Sequence, residues 1–343
     1  MKCGRSQPSK GARLSHGNVL AMIASLHEAW AWTAGDALLL SLPLFHLHGL
    51  VNGLCCALAA GAELALEPRF DAARALDRLE RGEATLFFGV PTMYVRLVEE
   101  LARRGPRRLP RVRLFVSGSA PLAAETFAAF RAATGHEILE RYGMSETGML
   151  LGNPLAGPRL PGTVGTPLPG VELRLVDARG EAVAAGEEGE IEVRGPNVFV
   201  GYWRAPEKSA ASFREDADGR RWFRTGDRGR VDAASGHLTL LGRASELILS
   251  GGFNVYPREI EEVLVQIPGV REAAVVGEPH PEFGESPVAF VVADGGVGPA
   301  TLDAHCRREL AAFKLPRRYV LVDALPRNAM GKIEKRRLPV GIP

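Results

Sequence analysis

Between about residues 37 and 142 short apolar runs alternate with segments whose apolar residues recur at helical spacing, and few folds accommodate that order. The strand-like runs are residues 37–42, 62–66, 86–89, 114–117 and 138–142, with helical patterns that include 93–101 and 123–134 between them. Alternation of this kind predicts a parallel sheet covered by helices on both faces. Such a sheet takes its ligands in the loops at the carboxyl ends of its strands. Ahead of it, Asn18 is expected to cap a helix carrying Val19, Met22, Ile23, Leu26 and Trp30 on one side.

The texture changes at about residue 161. Short strands at 171–176, 190–194, 222–225 and 238–241, separated by Gly and Pro turns, predict a small barrel or distorted sheet. After Gly242-Arg243 comes a compact α+β pattern. Pro257 suits the first turn of a helix bearing Ile260, Val263, Leu264 and Ile267; strands at 272–277 and 288–292, a helix at 302–313 and a basic tail follow. The expected fold class is therefore α/β: a parallel-sheet core, a small β-barrel-like subdomain and a small α+β C-terminal domain.

A chain of 343 residues, 46% hydrophobic and 24% charged, is long enough for two or three domains with sizeable cores. Its 42 Lys and Arg against 40 Asp and Glu leave no broad basic field for nucleic acid or an anionic membrane, so any anion must be met by a few placed charges. Cys3, Cys55, Cys56 and Cys306 match no zinc or disulfide spacing and read as reduced structural thiols. Gly49 to Leu66 is apolar, but Asn52, Gly53, Gly61 and Glu63 interrupt it, which favours a buried helix and a strand over a membrane span. The first residues carry no signal-peptide or transit pattern, and the cytoplasm is the expected compartment.

Several loops carry chemistry. Pro8-Ser9-Lys10-Gly11 places an ammonium among backbone N–H groups, a phosphate cradle or a plain turn. In Arg141-Tyr142-Gly143-Met144-Ser145-Glu146-Thr147-Gly148 the tyrosine offers a stacking face, Ser145 a hydroxyl for phosphate and Glu146 a hard oxygen for Mg²⁺; the bland alternative is a strand-to-helix turn. Asp227, in Arg224-Thr225-Gly226-Asp227, can accept from ribose hydroxyls, and Arg243 can donate to ribose or phosphate, although Asp in such a sequence commonly forms a turn. Lys332, in Met330-Gly331-Lys332-Ile333, could meet the charge that builds when a carboxylate attacks a phosphate, or belong to a solvated basic tail. His46 and His48 lack a third metal ligand nearby and read better as a pocket wall.

In this order the segments resemble the adenylate-forming (AMP-dependent) superfamily, over nearly the whole chain, and within it the malonyl-CoA synthetases. The closer resemblance rests on Leu44-Phe45-His46-Leu47-His48-Gly49-Leu50, Phe88-Gly89-Val90-Pro91-Thr92-Met93-Tyr94, Val116-Ser117-Gly118-Ser119-Ala120, the run from Gly162 to Val171, and Gly251-Gly252-Phe253-Asn254-Val255-Tyr256-Pro257. It implies an acyl-CoA ligase that uses ATP, Mg²⁺ and CoA, forms an acyl-adenylate and then a thioester, and favours malonate. It also implies a partial AMP-binding domain at 1–242 (1–160 α/β, 161–242 β-rich), a hinge at 243–246 and a mobile domain at 247–343. The family's hinge position holds Ser245, where Lys or Asp is expected.

By the same resemblance Lys332, Glu146 and Ser145 are catalytic, with Glu146 toward Mg²⁺. Lys10, Gly118, Ser119, Ala120, Arg141, Tyr142, Gly143, Met144, Asp227 and Arg243 surround the nucleotide, and Gly251 and Gly252 flank the path of the CoA thiol. His46, Ser119 and Arg96 line the acid, with Arg96 on its distal carboxylate. The Lys2-Cys3-Gly4-Arg5-Ser6-Gln7 stretch departs from the family's Thr/Ser/Gly-rich phosphate loop, and the subdomain that precedes this loop in the family has no counterpart. A truncated, split or mis-started reading frame is the expected cause, with the missing subdomain as the partner if the gene is split. The alternatives are an inactive remnant and a general short- or medium-chain acyl-CoA ligase.

Overall fold

The computed structural model describes residues 11–327 and 333–339. The chain forms two compact units, one of residues up to 225 together with 231–239, the other of residues 226–230 together with those from 240 onward.

The first unit opens with β1 (Ala12–Arg13) and α1 (His16–Trp30). Ser15, not Asn18, is the N-cap of α1. The Ser15 hydroxyl accepts from Asn18 N at 3.1 Å, and Asn18 Oδ1 accepts from Ser15 N at 2.9 Å, so Asn18 is the third-residue half of a reciprocal capping box. The chain continues through β2 (Ala37–Leu40), a π-helical turn at His48–Cys55, α2 (Cys56–Ala60) and β3 (Glu63–Leu66). Next come α3 (Ala72–Glu80), β4 (Leu86–Gly89), α4 (Pro91–Arg104), β5 (Leu114–Ser117), α5 (Ala124–Thr134), β6 (Ile138–Met144), β7 (Gly148–Gly152) and β8 (Thr166–Pro167).

These strands form one sheet in the order β3-β2-β4-β5-β6-β7-β8, parallel from β3 to β6 and antiparallel beyond. Successive side chains point to opposite faces. Leu38, Leu40, Leu86, Phe88, Leu114 and Val116 pack beneath Met22, Leu26 and Trp30 of α1. Their neighbours Leu39, Phe87, Phe115 and Ile138 pack against Leu76 and Leu79 of α3, Leu97 and Leu101 of α4 and Phe127 and Phe130 of α5. Both faces are dry, so the polar groups of this part of the unit collect at the strand ends.

At the amino end of the sheet Asp36 is the main polar anchor. Only 3% exposed, it accepts from Arg113 Nε and Nη2, both at 2.7 Å, and from the Thr85 hydroxyl at 2.8 Å. Burial alone would raise its pKa, but these partners, with Thr33 N, hold it down at about 2.

The rest of the first unit contains β9 (Glu172–Val176), β10 (Glu188–Arg194), β11 (Gly201–Tyr202), α6 (Pro206–Ala211) and β12 (Phe213–Glu215). The strands β13 (Arg221–Val231) and β14 (Leu238–Arg243) cross from one unit to the other. The sheet order is β12-β13-β10-β9, with β14 also on β13, and β11 pairs instead with β1. The barrel-like subdomain expected at 161–242 is therefore an open sheet. Its terminal strands β12 and β9 do not pair with one another, and the three-residue β12 is too short to continue the ladder.

The second unit holds β15 (Ile248–Ser250), β16 (Phe253–Val255), α7 (Pro257–Leu264), β17 (Val270–His280), β18 (Gly284–Ala293), α8 (Pro299–Glu309) and β19 (Arg318–Leu321). The two strands expected at 272–277 and 288–292 belong to one long hairpin, paired from Val270↔Ala293 to His280↔Gly284. The helix expected at 302–313 stops at Glu309, because Leu310 turns extended at φ −119°, ψ 149°. Ile260, Leu264, Val275, Ala289, Val291, Leu302 and Cys306 form its core. Among the described residues no helix is long and apolar enough to cross a membrane, and Cys55, Cys56 and Cys306 are free thiols.

Because the folded pKa of Asp36 is depressed from 3.8, its contribution is present above about pH 4 and is lost as pH falls toward 2. Urea unfolding across that window should show a loss on the order of 2 kcal/mol that is missing from Asp36→Asn.

Candidate active site

Three strand ends on the same side of the parallel sheet carry the candidate residues. After β2 the chain passes His46 and enters the π-helical turn at His48. After β5 comes Gly118-Ser119-Ala120, and β6 runs into Arg141 to Met144. Gly118 is buried, and a Cβ there would stand 2.5 Å from Cζ and Nε of Arg141. The absent side chain is what lets the guanidinium lie under this loop. Ser119 adopts a left-handed backbone at φ 71°, a strained choice for a non-glycine residue, and is exposed together with Ala120.

The segment from Arg141 to Gly148 is a β-hairpin, which excludes the strand-to-helix turn. Arg141 pairs with Gly152, Tyr142 with Leu151 and Met144 with Gly148, with an irregular register between Tyr142 and Gly143. Any side chain at Gly143 would place its Cβ 1.9 Å from Gly148 O, a backbone atom that cannot give way. Tyr142 is 7% exposed, Ser145 projects at the tip and Glu146 is half-buried.

Arg141 is the electrostatic centre of the unit. It is 4% exposed, and among the described residues its Nε and Nη2 have no hydrogen-bond partner. Burial pulls its pKa down to about 9, so it stays charged at neutral pH. His46 and His48 are both lowered, first by burial and then by the Arg141 charge, His48 far below the usual imidazole range. The neutral His48 ring stacks on Phe88 with centroids 6.2 Å apart, and among the described residues neither of its ring nitrogens finds a partner. Asn52, in the same π-turn, is buried with both side-chain polar atoms unpaired. Buried polar groups normally find partners, so this cluster marks a candidate site for a polar ligand. Arg96 differs: it lies on the exposed face of α4, where Tyr94, Leu97 and Leu101 turn inward.

A second network fixes the hairpin tip. Asn197 Nδ2 donates to Thr147 O at 2.9 Å and to Met149 O at 3.0 Å, and Phe199 N donates to Glu146 O at 2.8 Å. Asn18 Nδ2 donates to Pro196 O at 2.7 Å and Val198 O at 2.9 Å. The carboxylate of Glu146 is thus carried on an immobilised turn. Among the described residues no group of three or more His, Cys, Asp and Glu could hold a metal by itself. One fixed carboxylate is nevertheless the donor set that Mg²⁺ uses when nucleotide phosphates and water complete its shell, and Glu146 fits that requirement.

In the second unit Asp227 is buried and its Oδ1 meets Arg243 Nε at 2.8 Å, so the two residues expected at the ribose are paired with each other. Gly251 and Gly252, at φ 58° and 82°, are the two central residues of the β15–β16 hairpin, where Ser250 pairs with Phe253. Positive φ at both positions is what a two-residue hairpin turn demands. Ser245 is exposed in a 3-10 turn, Ala244–Glu246. Lys335 is half-buried between Glu261 Oε1 at 2.7 Å and Glu246 Oε2 at 3.3 Å; partial burial lowers its pKa, but the two carboxylates outweigh it and raise the pKa. Lys10 and Lys332 lie outside the described residues.

Two family models match: AMP-binding enzyme over residues 8–203 and AMP-binding enzyme C-terminal domain over residues 259–332. The chain belongs to the AMP-binding enzyme family. Mitochondrial malonate–CoA ligase of Mus musculus is 38% identical over 98% of this chain and 62% of its own length. The structure of ATP-bound MatB from Rhodopseudomonas palustris superimposes with a TM-score of 0.89 at 45% identity, covering 96% of this chain and 65% of that one. That of o-succinylbenzoate coenzyme A synthetase from Bacillus subtilis, in complex with ATP and magnesium ion, gives 0.86 at 33%, covering 96% and 66%. The chain thus spans 62% of the length of the mouse relative.

The AMP-binding assignment accounts for motifs that can be read as words, but not for the burial of Arg141 or for Asn52 and the π-turn beneath it. The only sequence signal for that turn is the pair Gly49 and Gly53. A Cβ at Gly49 would come within 2.4 Å of Pro43 O, and one at Gly53 within 2.9 Å of the Leu40 side chain. Gly118→Ala should force the guanidinium of Arg141 aside and lower stability by about 1–3 kcal/mol in urea unfolding, while Ala120→Gly at the exposed neighbour should cost less.

Proposed function

We propose that the chain is an ATP-dependent acid–thiol ligase acting on short dicarboxylates, with malonate as the favoured acid. The observation that carries the dicarboxylate reading is Arg141, a charged guanidinium buried with two unpartnered nitrogen positions beside His46 and His48. A buried cation without a counter-ion is costly, and a small anion is its natural complement. The fork of a guanidinium matches a carboxylate. We therefore assign Arg141 to the second carboxylate of the acid rather than to the nucleotide, whose phosphates need the more open ground around Ser119 and Ser145. The malonate–CoA ligase name of the mouse relative supports the same acid.

In the first step one carboxylate oxygen of the acid attacks the α-phosphorus of ATP and pyrophosphate leaves. In the second the CoA thiol attacks the acyl carbon, forming the thioester and releasing AMP. Gly118, Ser119, Ala120, Tyr142, Gly143 and Met144 border the nucleotide in this reading, with Lys10 and Ser145 toward its phosphates. Glu146 holds Mg²⁺, Asp227 and Arg243 take the ribose, and Lys332 neutralises charge in the adenylation step. His46 lines the acid, and Gly251 and Gly252 leave room for the pantetheine arm. Rotation about residues 243–246 would exchange the two half-reactions. We assign the cytoplasm as compartment, although the mouse relative is named as mitochondrial.

The test uses the full chain with ATP, Mg²⁺, CoA and either malonate or butyrate, and follows the CoA thioester by mass spectrometry. Malonyl-CoA should form, and Lys332→Ala should abolish it. Arg141→Met should lower kcat/KM for malonate by about 10- to 100-fold, the value of a hydrogen-bonded charge, and leave butyrate nearly unchanged. Arg96→Met is the control. If it shows the selective loss and Arg141→Met does not, the distal carboxylate belongs at α4; equal losses on both acids reject the dicarboxylate reading.

A further inference from the structure

Tyr202 stands in β11 within two residues of a sharp local constraint. Gly201 has φ 146°, and a Cβ there would meet Ser209 Oγ at 2.9 Å, while the same hydroxyl accepts from Tyr202 N at 2.8 Å. The Tyr202 ring packs edge-on against Phe199 with centroids 4.9 Å apart, and Phe199 in turn meets Phe213 and Phe223. The side chain is 8% exposed. From this apolar socket the phenol donates to Glu146 Oε1 at 2.8 Å. Phe199 N holds the Glu146 carbonyl from the same segment, so main chain and side chain of Glu146 are both fixed by residues 199–202. Across the ladder Tyr202 pairs with Ala12 and Trp203 N donates to Gly11 O at 2.7 Å, which ties Gly11 and Ala12 to the same segment.

We infer that Tyr202 is a positioning residue for the divalent cation: its phenol occupies one oxygen of Glu146 and presents the other, Oε2, to the metal that accompanies the nucleotide. The inference rests on the metal-binding reading of Glu146. A carboxylate that accepts from a fixed donor on one oxygen loses the freedom to rotate or to take the cation with both oxygens. Among the described residues Oε2 makes no hydrogen bond or ion pair, so it is the free one. In this role Tyr202 acts through Glu146.

The test measures Mn²⁺ affinity of the full chain, saturated with the non-hydrolysable nucleotide AMPCPP, by electron paramagnetic resonance. Affinity for AMPCPP without metal is measured beside it by calorimetry. Tyr202→Phe keeps the ring in its socket and should weaken Mn²⁺ about 3- to 10-fold, the value of one such hydrogen bond, with metal-free nucleotide affinity unchanged. A purely structural role would move both affinities together, and that result overturns the inference, as does wild-type Mn²⁺ affinity in Tyr202→Phe. Glu146→Gln separates the two layers. If it too leaves Mn²⁺ affinity unchanged, or if the wild-type chain binds no AMPCPP, the reading of Glu146 fails and the role of Tyr202 falls with it. If Glu146→Gln loses Mn²⁺ and Tyr202→Phe does not, only the inference about Tyr202 fails.

Discussion

A parallel sheet buried on both faces has no surface on which to carry polar chemistry except the ends of its strands. Leu38 and Leu40 face one core and Leu39 the other, and the same division repeats at Leu86, Phe87 and Phe88 and at Leu114, Phe115 and Val116. Each strand is dry from side to side, so the chain can change character only where the strand stops. The amino ends are closed by Asp36, Thr85 and Arg113, a neutralised and fully hydrogen-bonded cluster. The carboxyl ends are the reverse, with strained Ser119, unpaired Arg141, and His48 and Asn52 lacking partners. Satisfaction at one end and frustration at the other distinguish a structural pole from a functional one.

The carboxyl-end loops would be mobile if each relied on its own strand. Instead the segment from Gly195 to Trp203 is stitched to three separate elements. Asn18 reaches it from the first turn of α1, Asn197 and Phe199 reach from it to the β6–β7 hairpin, and Trp203 holds Gly11. Nearly all these bonds run to backbone carbonyls, so they fix positions without depending on the identity of the neighbouring side chain. Asn18 illustrates the economy of the arrangement: its oxygen closes the helix cap while its amide secures the segment.

The parallel core was legible because period and length are local properties. Runs at 86–89 and 114–117 match β4 and β5 residue for residue, and those at 62–66 and 138–142 miss only their ends. The open sheet was not. Short strands between glycines look the same whether the last one closes on the first, and closure depends on contacts far apart in sequence. Asn18 misled because a good capping residue three places into a helix resembles the cap itself; the reciprocal bond with Ser15 becomes visible only once the turn exists. At the site, the hairpin motif could be read from its letters, but the depth of Arg141 could not. Composition makes an arginine a surface residue by default, and only the pairing of Arg141 with Gly152 under the Gly118 loop puts it inside.

Folding places Arg141 in the interior, which under the proposed reading sets how the site would discriminate. The cost of removing the guanidinium from water is met by the packing of the two cores, not by the ligand. An anion that reaches Arg141 therefore finds a donor already desolvated and already oriented by the Gly118 loop, and gains more than it would from a flexible surface arginine. Under the proposed reading a ligand with an apolar group at that position gains nothing there, so rejection of the wrong acid would follow from the same geometry that attracts the right one. The neutral state of His48 belongs to this arrangement: a second cation beside Arg141 would raise the cost of folding, whereas an uncharged imidazole adds a donor and an acceptor without adding charge. In that reading discrimination would be a property of the fold itself, maintained by residues such as Gly118 that leave the Arg141 guanidinium its place.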